Sequence, residues 1–242
     1  MHVVAVIQAR MSSTRLPGKI LASLGNGTVL GSVVGAARSA TLVDEVIVAT
    51  STDASDDDTQ EACRSLDLEC VRGSLQDVVS RYKLAIRGRG ADAVVRLTAD
   101  CPLLDPRLID QCVAVLCADP KIFMSTNALV RTYPRGFDVE VLSLSALDWI
   151  DEHSKGHHRT HVTSLLLEQA NEQPIVNLSA AVDNSDLRAT VDTPEDLSLV
   201  RCVVDELADA ANDHDQVTAL LRKRADIRGI NAHVLQKEVR DW

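Results

Sequence analysis

Short runs of β-branched residues alternate along the chain with longer segments in which apolar residues recur at helical spacing. The runs predict strands at 3–8, 45–50, 68–73, 93–98, 139–143 and 187–192. The longer segments predict helices at 29–39, 55–66, 75–88, 106–117, 161–170 and 194–209. Near-continuous apolar strands that alternate with helices are typical of a mostly parallel sheet with helices on both faces. The pattern therefore predicts an α/β fold with a doubly wound sheet.

Two predicted helices carry clear start signals. Asp105 precedes Pro106, and Thr193 precedes Pro194, so each pair supplies a capping side chain and a proline at the first helical position. Residues 119–180 interrupt the alternation with loops and a predicted hairpin. A chain of 242 residues with 45% hydrophobic residues is long enough for one sizeable core. We therefore expect a single domain, 1–242, with 119–180 as an excursion that serves acceptor binding or dimerisation.

Composition narrows the range of partners and compartments. The chain has 35 acidic and 25 basic side chains, which argues against nonspecific binding to nucleic acid or to an anionic membrane. Its six cysteines include no CxxC pair, as expected of free thiols in a reducing cytoplasm. The first apolar run is too short for a signal peptide, and no apolar run is long enough to span a bilayer. We expect a soluble cytoplasmic protein.

One loop gathers cations despite the acidic net charge. The stretch VIQARMSSTRLPGK places Arg10, Arg15 and Lys19 directly after the first predicted strand, among small hydroxyl residues. Ligands of parallel sheets bind beyond the carboxyl ends of the strands. Arginine forks, a lysine charge and hydroxyl groups suit a cluster of phosphate oxygens, although the P-loop pattern is absent. A triphosphate is the natural candidate, and a solvated loop that balances the acidic surface is the alternative.

Two acidic residues end predicted strands. Asp100 closes the strand in VVRLTAD, and Asp192 closes the strand in LRATVD. Because Mg²⁺ is typically held by one or two carboxylates together with substrate phosphates, the two side chains are candidate metal ligands. For Asp192 the alternative is a capping role in the turn that leads into the next helix.

Five segments of the chain together resemble a known family. These segments are AVIQARMSSTRLPGK, RLTADCPLLDP, YPRGFDVEVLS, HHRTHVTS and ATVDTPEDL. They resemble the acylneuraminate cytidylyltransferase family, which comprises CMP-sugar synthetases, and in particular its branch of SpsF-like spore coat polysaccharide biosynthesis proteins. Such enzymes join CTP to an acidic sugar and release pyrophosphate. The resemblance implies a nucleotide-diphospho-sugar transferase-like, Rossmann-related fold, dependence on Mg²⁺ and a homodimer.

The resemblance also assigns roles to single positions. The implied nucleotide-binding residues are Gln8, Arg10, Ser12, Arg15, Lys19, Gly73 and Ser74. Asp100 and Asp192 would bind Mg²⁺, and Lys19, Arg10 and Asp100 would carry the catalytic role. A sugar hydroxyl attacks the α-phosphorus in this chemistry, so the protein's task is to position the reactants and to neutralise the departing pyrophosphate.

We expect the acceptor to bind against the excursion, residues 119–180. In TYPRGFDVEVLS, Asp138 and Glu140 are two residues apart on a predicted strand and therefore share one face. Carboxylates suit sugar hydroxyls, and a guanidinium suits an acceptor carboxylate or phosphate. The candidate acceptor-binding residues are Arg81, Tyr133, Arg135, Asp138, Glu140 and His161. An exposed hairpin face with a dimer contact is the alternative interpretation.

The histidine-rich stretch HSKGHHRTH places His157 and His161 four residues apart, a spacing that suits Zn²⁺ on a helix. No cysteine or acidic residue stands at ligand spacing inside the stretch, so we prefer the start of a helix or an acceptor contact.

Two rival functions stay open. A glycosyltransferase that uses a sugar nucleotide would need an acidic DxD pair after a central strand, whereas Asp100 is followed by Cys101 and Pro102. A noncatalytic nucleotide-binding protein would not need both strand-end acids.

Overall fold

A seven-stranded sheet runs through the computed structural model, which describes residues 1–236. Its strands and those of a small separate hairpin are β1 (Val3–Gln8), β2 (Ser23–Leu24), β3 (Gly27–Thr28), β4 (Glu45–Ser51), β5 (Glu69–Gly73), β6 (Ala93–Thr98), β7 (Met124–Thr126), β8 (Glu140–Ser143) and β9 (Ile175–Asn177). Strands β2 and β3 form the hairpin. The predicted strands that correspond to β1, β4, β5, β6 and β8 are confirmed to within one residue at each end.

Strand order in the sheet is β5-β4-β1-β6-β8-β7-β9. The first four of these strands are parallel, β8 is antiparallel to both β6 and β7, and β9 is parallel to β7. The prediction of a mostly parallel sheet is therefore confirmed. Residues 119–180 contribute β7, β8 and β9 to this same sheet, while their part in acceptor binding or dimerisation stays a prediction.

Helices cover both faces of the sheet. They are α1 (Val29–Ser39), α2 (Asp57–Ser65), α3 (Val78–Ile86), α4 (Pro106–Ala118), α5 (Leu144–His153), α6 (His157–Thr160), α7 (Ser164–Glu168), α8 (Pro194–Leu207), α9 (His214–Lys223) and α10 (Ala225–Gly229). In the part of the chain that the structure describes, none of them combines the length and apolar character that crossing a membrane requires.

The alternation of side chains along β1 explains why the sheet has a core on each face. Val3, Ala5 and Ile7 enter one apolar cluster, which α1, α4 and α8 complete. Val4 and Val6 enter the other, which α3 and α5 complete. Because both faces are covered, every residue from 3 to 7 is buried, which is why the run is continuously apolar.

Helices α4 and α8 begin at the capping residues that the sequence predicts. Asp105 accepts a hydrogen bond from the backbone N–H of Arg107, and Thr193 accepts one from Asp196. Both predicted start signals are confirmed, and each cap satisfies an N–H group that the first helical turn leaves without a partner.

The prediction of a strand at 187–192 is wrong. The segment is extended, but within residues 1–236 it forms only one β-bridge, between Arg188 and Arg135. Strand β8 already occupies the position beside β6, so this segment runs past the carboxyl edge of the sheet. The predicted helix at 161–170 is shorter than expected, because α7 covers only Ser164–Glu168. The sequence patterns also failed to indicate β7, β9, α5, α9 and α10.

Candidate active site

The cationic loop and Asp100 leave neighbouring strands at the same edge of the sheet. Strands β1 and β6 are parallel, and Gln8 lies opposite Thr98 in the register. Residues that follow the two strands therefore emerge side by side. The backbone N–H of Ala99 donates to the Gln8 carbonyl at 3.0 Å, which holds the two strand ends together.

Asp192 reaches this edge without belonging to a strand. The backbone N–H of Val191 donates to the carbonyl of Asp100 at 2.8 Å, and the Thr190 hydroxyl donates to the same oxygen at 3.0 Å. Two hydrogen bonds to one carbonyl thus bring Asp192 next to Asp100, although 91 residues separate them in the chain.

Lys19 bridges the two carboxylates. Its Nζ donates to Asp100 Oδ2 at 2.6 Å and to Asp192 Oδ1 at 2.8 Å. Burial opposes the charged ammonium, but the two carboxylates outweigh burial and raise the pKa of Lys19 above 10.5. Lys19 is therefore a cation at neutral pH, and the oxygens of both acids face one positive charge.

Asp192 also binds two arginines. Its Oδ2 atom lies 2.9 Å from Arg15 and 2.8 Å from Arg188, on the side opposite Lys19. Burial alone would raise the pKa of Asp192, but Lys19, Arg188 and Arg15 lower it to about 2. The side chain is ionised and held from both sides.

A buried acid fixes Arg188 and the turn around Asp192. Asp196 is fully buried, and both of its oxygens accept hydrogen bonds from Arg188, each at 2.8 Å. Asp196 also accepts from the backbone N–H groups of Asp192 and Thr193 and from the Asn231 amide. This network fixes the direction in which Asp192 points.

A second buried acid fixes the cationic loop. Asp56 accepts from the backbone N–H of Met11 at 2.7 Å and from the backbone and hydroxyl of Ser51 at the end of β4. Gly18 follows in the left-handed conformation, with φ of 72°, and its N–H donates to the Met11 carbonyl. A residue with a Cβ atom would strain the backbone here, so the glycine allows the turn that delivers Lys19.

Two adjoining pockets open at this edge. The inner pocket is lined by Gln8, Arg10, Ser13, Arg15, Lys19, Ile20, Thr98, Ala99, Asp100 and Asp192. The outer pocket shares Gln8, Arg10, Arg15, Thr98, Asp100 and Asp192 with it and adds Arg96, Cys101, Arg135, Asp138, Thr160, His161, Thr190 and Gln236. Because the two aspartates line both pockets, a molecule in one pocket would meet a molecule in the other at Asp100 and Asp192.

Three predicted acceptor-binding residues line the outer pocket: Arg135, Asp138 and His161. Asp138 also binds Arg131. Burial lowers the pKa of His161, and the positive charge of Arg96 lowers it further, so its imidazole is neutral at pH 7. The outer pocket therefore combines guanidinium and carboxylate groups with a neutral imidazole.

The other three predicted acceptor-binding residues lie elsewhere. Glu140 is buried and binds Arg96 at 2.5 Å, so it does not share a free face with Asp138. Tyr133 packs edge-on against His214, with ring centroids 5.4 Å apart, and lines a different groove. Arg81 is fully buried in α3. Its guanidinium has no hydrogen-bond partner among the described residues, and it lines neither pocket.

Three predicted nucleotide-binding residues also lie outside both pockets. Ser12 is exposed, and its neighbour Ser13 lines the inner pocket instead. Gly73 ends β5, two strands away from β1, and a Cβ atom there would lie 2.8 Å from Cγ of Arg81. Ser74 accepts a hydrogen bond from the N–H of Asp77 and starts the turn into α3. In the structure, Gly73 makes room for Arg81, and Ser74 serves a turn.

Sequence reasoning missed the residues that support Asp192. Arg188 stands four residues before it, and Asp196 stands four residues after it, inside the capping box of α8. The cap itself was recognisable from the sequence, but its bidentate contact with Arg188 depends on the path of 187–192. Asn231, Asp56 and Gln236 carried no local signal.

The histidine stretch does not place His157 and His161 on one helix, as the Zn²⁺ spacing would require. Helix α6 ends at Thr160, so His161 does not continue it, and His161 lines the outer pocket instead. Among residues 1–236, metal-ligating atoms of His157, His158 and Glu168 do lie within 4.8 Å of one another. His157 and Glu168 are exposed, and both imidazoles lie within 4.0 Å of the Glu168 carboxylate.

Three relatives show what the chain is similar to. An uncharacterized protein of Methanocaldococcus jannaschii is 31% identical over 246 residues, covering 100% of this chain and 99% of that protein. The spore coat polysaccharide biosynthesis protein SpsF of Bacillus subtilis is 26% identical over 93% of this chain and 95% of its own length. A 3-deoxy-manno-octulosonate cytidylyltransferase of Geobacter sulfurreducens is 35% identical over 54% of this chain and 52% of its own length.

Solved structures extend the likeness to the fold. A cytidylyltransferase from Leptospira borgpetersenii superposes with a TM-score of 0.90 at 31% identity, over 94% of this chain and 97% of that one. A CMP:2-keto-3-deoxy-manno-octonic acid synthetase complexed with CTP gives 0.67 at 19% identity, over 85% and 99%. Rv0371C of Mycobacterium tuberculosis, complexed with manganese, gives 0.59 at 22% identity, over 82% and 97%. The last two show the fold alone.

The family model for cytidylyltransferases matches residues 4–132, more than half of the chain. This range contains the cationic loop, Lys19 and Asp100 at the parallel half of the sheet. The chain therefore belongs to the cytidylyltransferase family and is a nucleotidyltransferase.

Proposed function

We propose that this protein transfers CMP from CTP to a hydroxyl of an acidic sugar or related acceptor and releases pyrophosphate, with Mg²⁺ as cofactor. Within the family we assign it to the acylneuraminate type, in its SpsF-like branch. The observation that carries the proposal is the position of Lys19 between Asp100 and Asp192, beside a loop that presents two arginines to the same pocket.

The two acids fit the proposed metal. Their oxygens lie within 2.6 and 2.8 Å of one Nζ atom, so they converge on the space of a single cation. Carboxylate oxygens are the ligands that Mg²⁺ prefers. When bound there, Mg²⁺ would polarise the α-phosphate and lower the pKa of an acceptor hydroxyl. Asp100 and Asp192 would hold it.

The chain's own residues would contribute to the proposed transition-state stabilisation. In the reaction, the acceptor hydroxyl loses its proton to solvent and its oxygen forms a bond to the α-phosphorus, while the bond from that phosphorus to the pyrophosphate oxygen breaks. Negative charge accumulates on the departing pyrophosphate. Arg10, Arg15 and Lys19 line the inner pocket as cations and would neutralise this charge, and Ser13 offers a hydroxyl donor in the place foreseen for Ser12.

The outer pocket supports acceptor binding. Arg135 suits the carboxylate of an acidic sugar, while Asp138 and His161 suit hydroxyl groups. We propose that the chain works as one domain, as a homodimer, without nucleic acid or membrane partners. All six cysteines are free thiols, which agrees with a reducing cytoplasm.

The test is Mg²⁺-dependent pyrophosphate release from CTP, UTP, GTP and ATP, each offered with a panel of acidic sugars that includes 3-deoxy-manno-octulosonate and sialic acid. Release with CTP and one sugar is expected. Nucleotide protection of the fold, measured by thermal unfolding, is recorded in parallel. Protection by CTP without release from any sugar would contradict the acceptor class, and no protection by any nucleotide would contradict the nucleotide site.

Asp100→Asn tests the metal assignment. We expect it to abolish turnover and to leave the fold intact, because the amide removes the charge while keeping the shape. Asp205→Asn is the matched control, since Asp205 is exposed on α8 and forms no ion pair with any residue from 1 to 236. Unchanged turnover in Asp100→Asn would contradict the assignment.

A further inference from the structure

The segment that follows α10, residues 231–236, folds back across the carboxyl edge of the sheet. Gln236 lines the outer pocket. Arg188 donates to Gln236 Oε1 at 2.5 Å, and Arg15 donates to the carbonyl of Leu235 at 3.4 Å. The segment therefore contacts the cationic loop on one side and the support of Asp192 on the other.

Asn231 fastens the segment. Its side chain is almost completely buried, with 4% exposed, and its amide nitrogen donates to Asp196 Oδ1 at 2.8 Å. The same amide donates to the Arg188 carbonyl at 3.3 Å, and the Asn231 carbonyl accepts from the N–H of Val234. Burial of an amide is costly unless its donors are satisfied, so these contacts fix where the segment begins.

One network thus joins the segment to the candidate metal ligand. Asp196 accepts from Asn231, from Arg188 and from the backbone of Asp192. Arg188 in turn binds both Asp192 and Gln236. A change in the position of 231–236 would therefore reach the outer pocket directly, through Gln236, and would reach Asp192 through Arg188.

We propose that residues 231–236 form a wall of the acceptor site, with Gln236 as a specificity-determining residue and Asn231 as the residue that positions the wall. An amide offers both donor and acceptor atoms, which suits a polyhydroxylated acceptor, and Gln236 lies in the same pocket as Arg135 and Asp138. This inference rests on the proposed function and names a part of its acceptor site.

The experiment compares the full-length protein with Gln236→Ala, Asn231→Ala and the double variant. The control is Gln216→Ala, because Gln216 is exposed on α9 and lines neither pocket. Steady-state pyrophosphate release gives KM for CTP and KM for the sugar that the panel identifies. We expect Gln236→Ala to raise KM for the sugar about tenfold, the cost of losing one or two hydrogen bonds, with KM for CTP within about twofold.

Non-additivity separates positioning from general destabilisation. If Asn231 acts through the wall, Asn231→Ala already displaces Gln236, so adding Gln236→Ala should not raise KM for the sugar further. Additive effects would overturn the positioning role. Unchanged KM for the sugar in Gln236→Ala, with an active wild type, would overturn this inference alone. A wild-type protein that releases no pyrophosphate would overturn the proposed function and this inference together.

Discussion

The inner and outer pockets meet at Asp100 and Asp192 but are built differently. Apart from Asp192, the inner pocket is formed by the ends of β1 and β6, two parallel strands in direct register, and by the residues that follow them. The outer pocket draws on separate loops, with Arg135 and Asp138 from one, His161 from a second and Gln236 from a third part of the chain. In both pockets charged groups pair within the protein, as Lys19 does with Asp100 in the inner pocket and Asp138 does with Arg131 in the outer one.

This difference explains what each pocket can do before a ligand arrives. Strand ends are fixed by the sheet, so the inner pocket is preorganised for a ligand of constant shape, such as a triphosphate. The outer pocket depends on side-chain pairs between loops, which vary more readily among related proteins. We therefore expect substitutions in the inner pocket to change turnover, and substitutions in the outer pocket to change the choice of acceptor.

The largest expected effect is that of Lys19→Met. It removes the cation that the inner pocket directs at two carboxylates and, in the proposed reaction, at the departing pyrophosphate. We expect kcat to fall about 10²- to 10³-fold, as for the loss of one preorganised charge stabiliser. Steady-state pyrophosphate release measures it. Lys121→Met, at an exposed position, is the control. If Lys19→Met raised KM and left kcat unchanged, the contrast between the pockets would be wrong.

Asp196→Asn tests whether the network that holds Asp192 in place matters for the function of both pockets. The substitution removes the bidentate carboxylate from Arg188 and leaves it with Asp192 as its carboxylate partner among the described residues. We expect the free energy of unfolding to fall by about 3 kcal/mol, because the substitution breaks a buried ion pair. We also expect kcat and KM for the sugar both to change. Urea unfolding and steady-state kinetics measure these effects.

Glu195→Gln is the matched control for Asp196→Asn, since Glu195 lies in the same helical turn but is only partly buried, whereas Asp196 is fully buried. If Asp196→Asn changed only one of the two kinetic constants, the pockets would be supported independently.

The sequence predicts the inner pocket better than the outer pocket, because strand ends form most of the inner pocket and loops form most of the outer one. Apolar runs determine strands, and strand ends determine neighbours, so Arg10, Lys19 and Asp100 were predictable as a group at one edge. Asp192 was also predicted at this edge, but from a strand that does not form. Its true position depends on hydrogen bonds to the Asp100 carbonyl, for which a sequence has no periodic signal.

On the outer side, period-two reasoning placed Asp138 and Glu140 on one strand face. The strand begins only at Glu140, whose carboxylate is buried against Arg96. Arg81 was assigned by charge alone, and charge does not reveal that a side chain is enclosed. Long-range pairs between loops, such as that of Arg188 with Gln236, become visible only in three dimensions.

Asp105→Asn tests whether the scaffold can be weakened without changing either pocket. Burial alone would raise the pKa of Asp105, but hydrogen bonds from His214 and Arg107 lower it well below 3.8. A depressed pKa means that the carboxylate stabilises the fold above about pH 4, and that this contribution is lost as the pH falls toward the folded-state pKa.

At pH 7 we therefore expect Asp105→Asn to lower the free energy of unfolding by about 2 kcal/mol. Urea unfolding at a series of pH values should show the difference from wild type shrinking below about pH 4. Both KM values should be unchanged, because Asp105 lines neither pocket. A difference that persists at acid pH would contradict the electrostatic explanation.

The smallest expected effect, and the one that most sharpens the comparison, is that of Arg135→Ala. Arg135 lines the outer pocket only, so its loss should raise KM for an acidic sugar about tenfold and leave KM for CTP within about twofold. Arg87→Ala, at an exposed position outside both pockets, controls for the loss of a positive charge. If the guanidinium binds the sugar carboxylate, the corresponding neutral sugar should be equally poor with wild type and variant. A matching rise in KM for CTP would instead mean that the two pockets form one binding site, and that the division between a preorganised nucleotide side and an adaptable acceptor side is wrong.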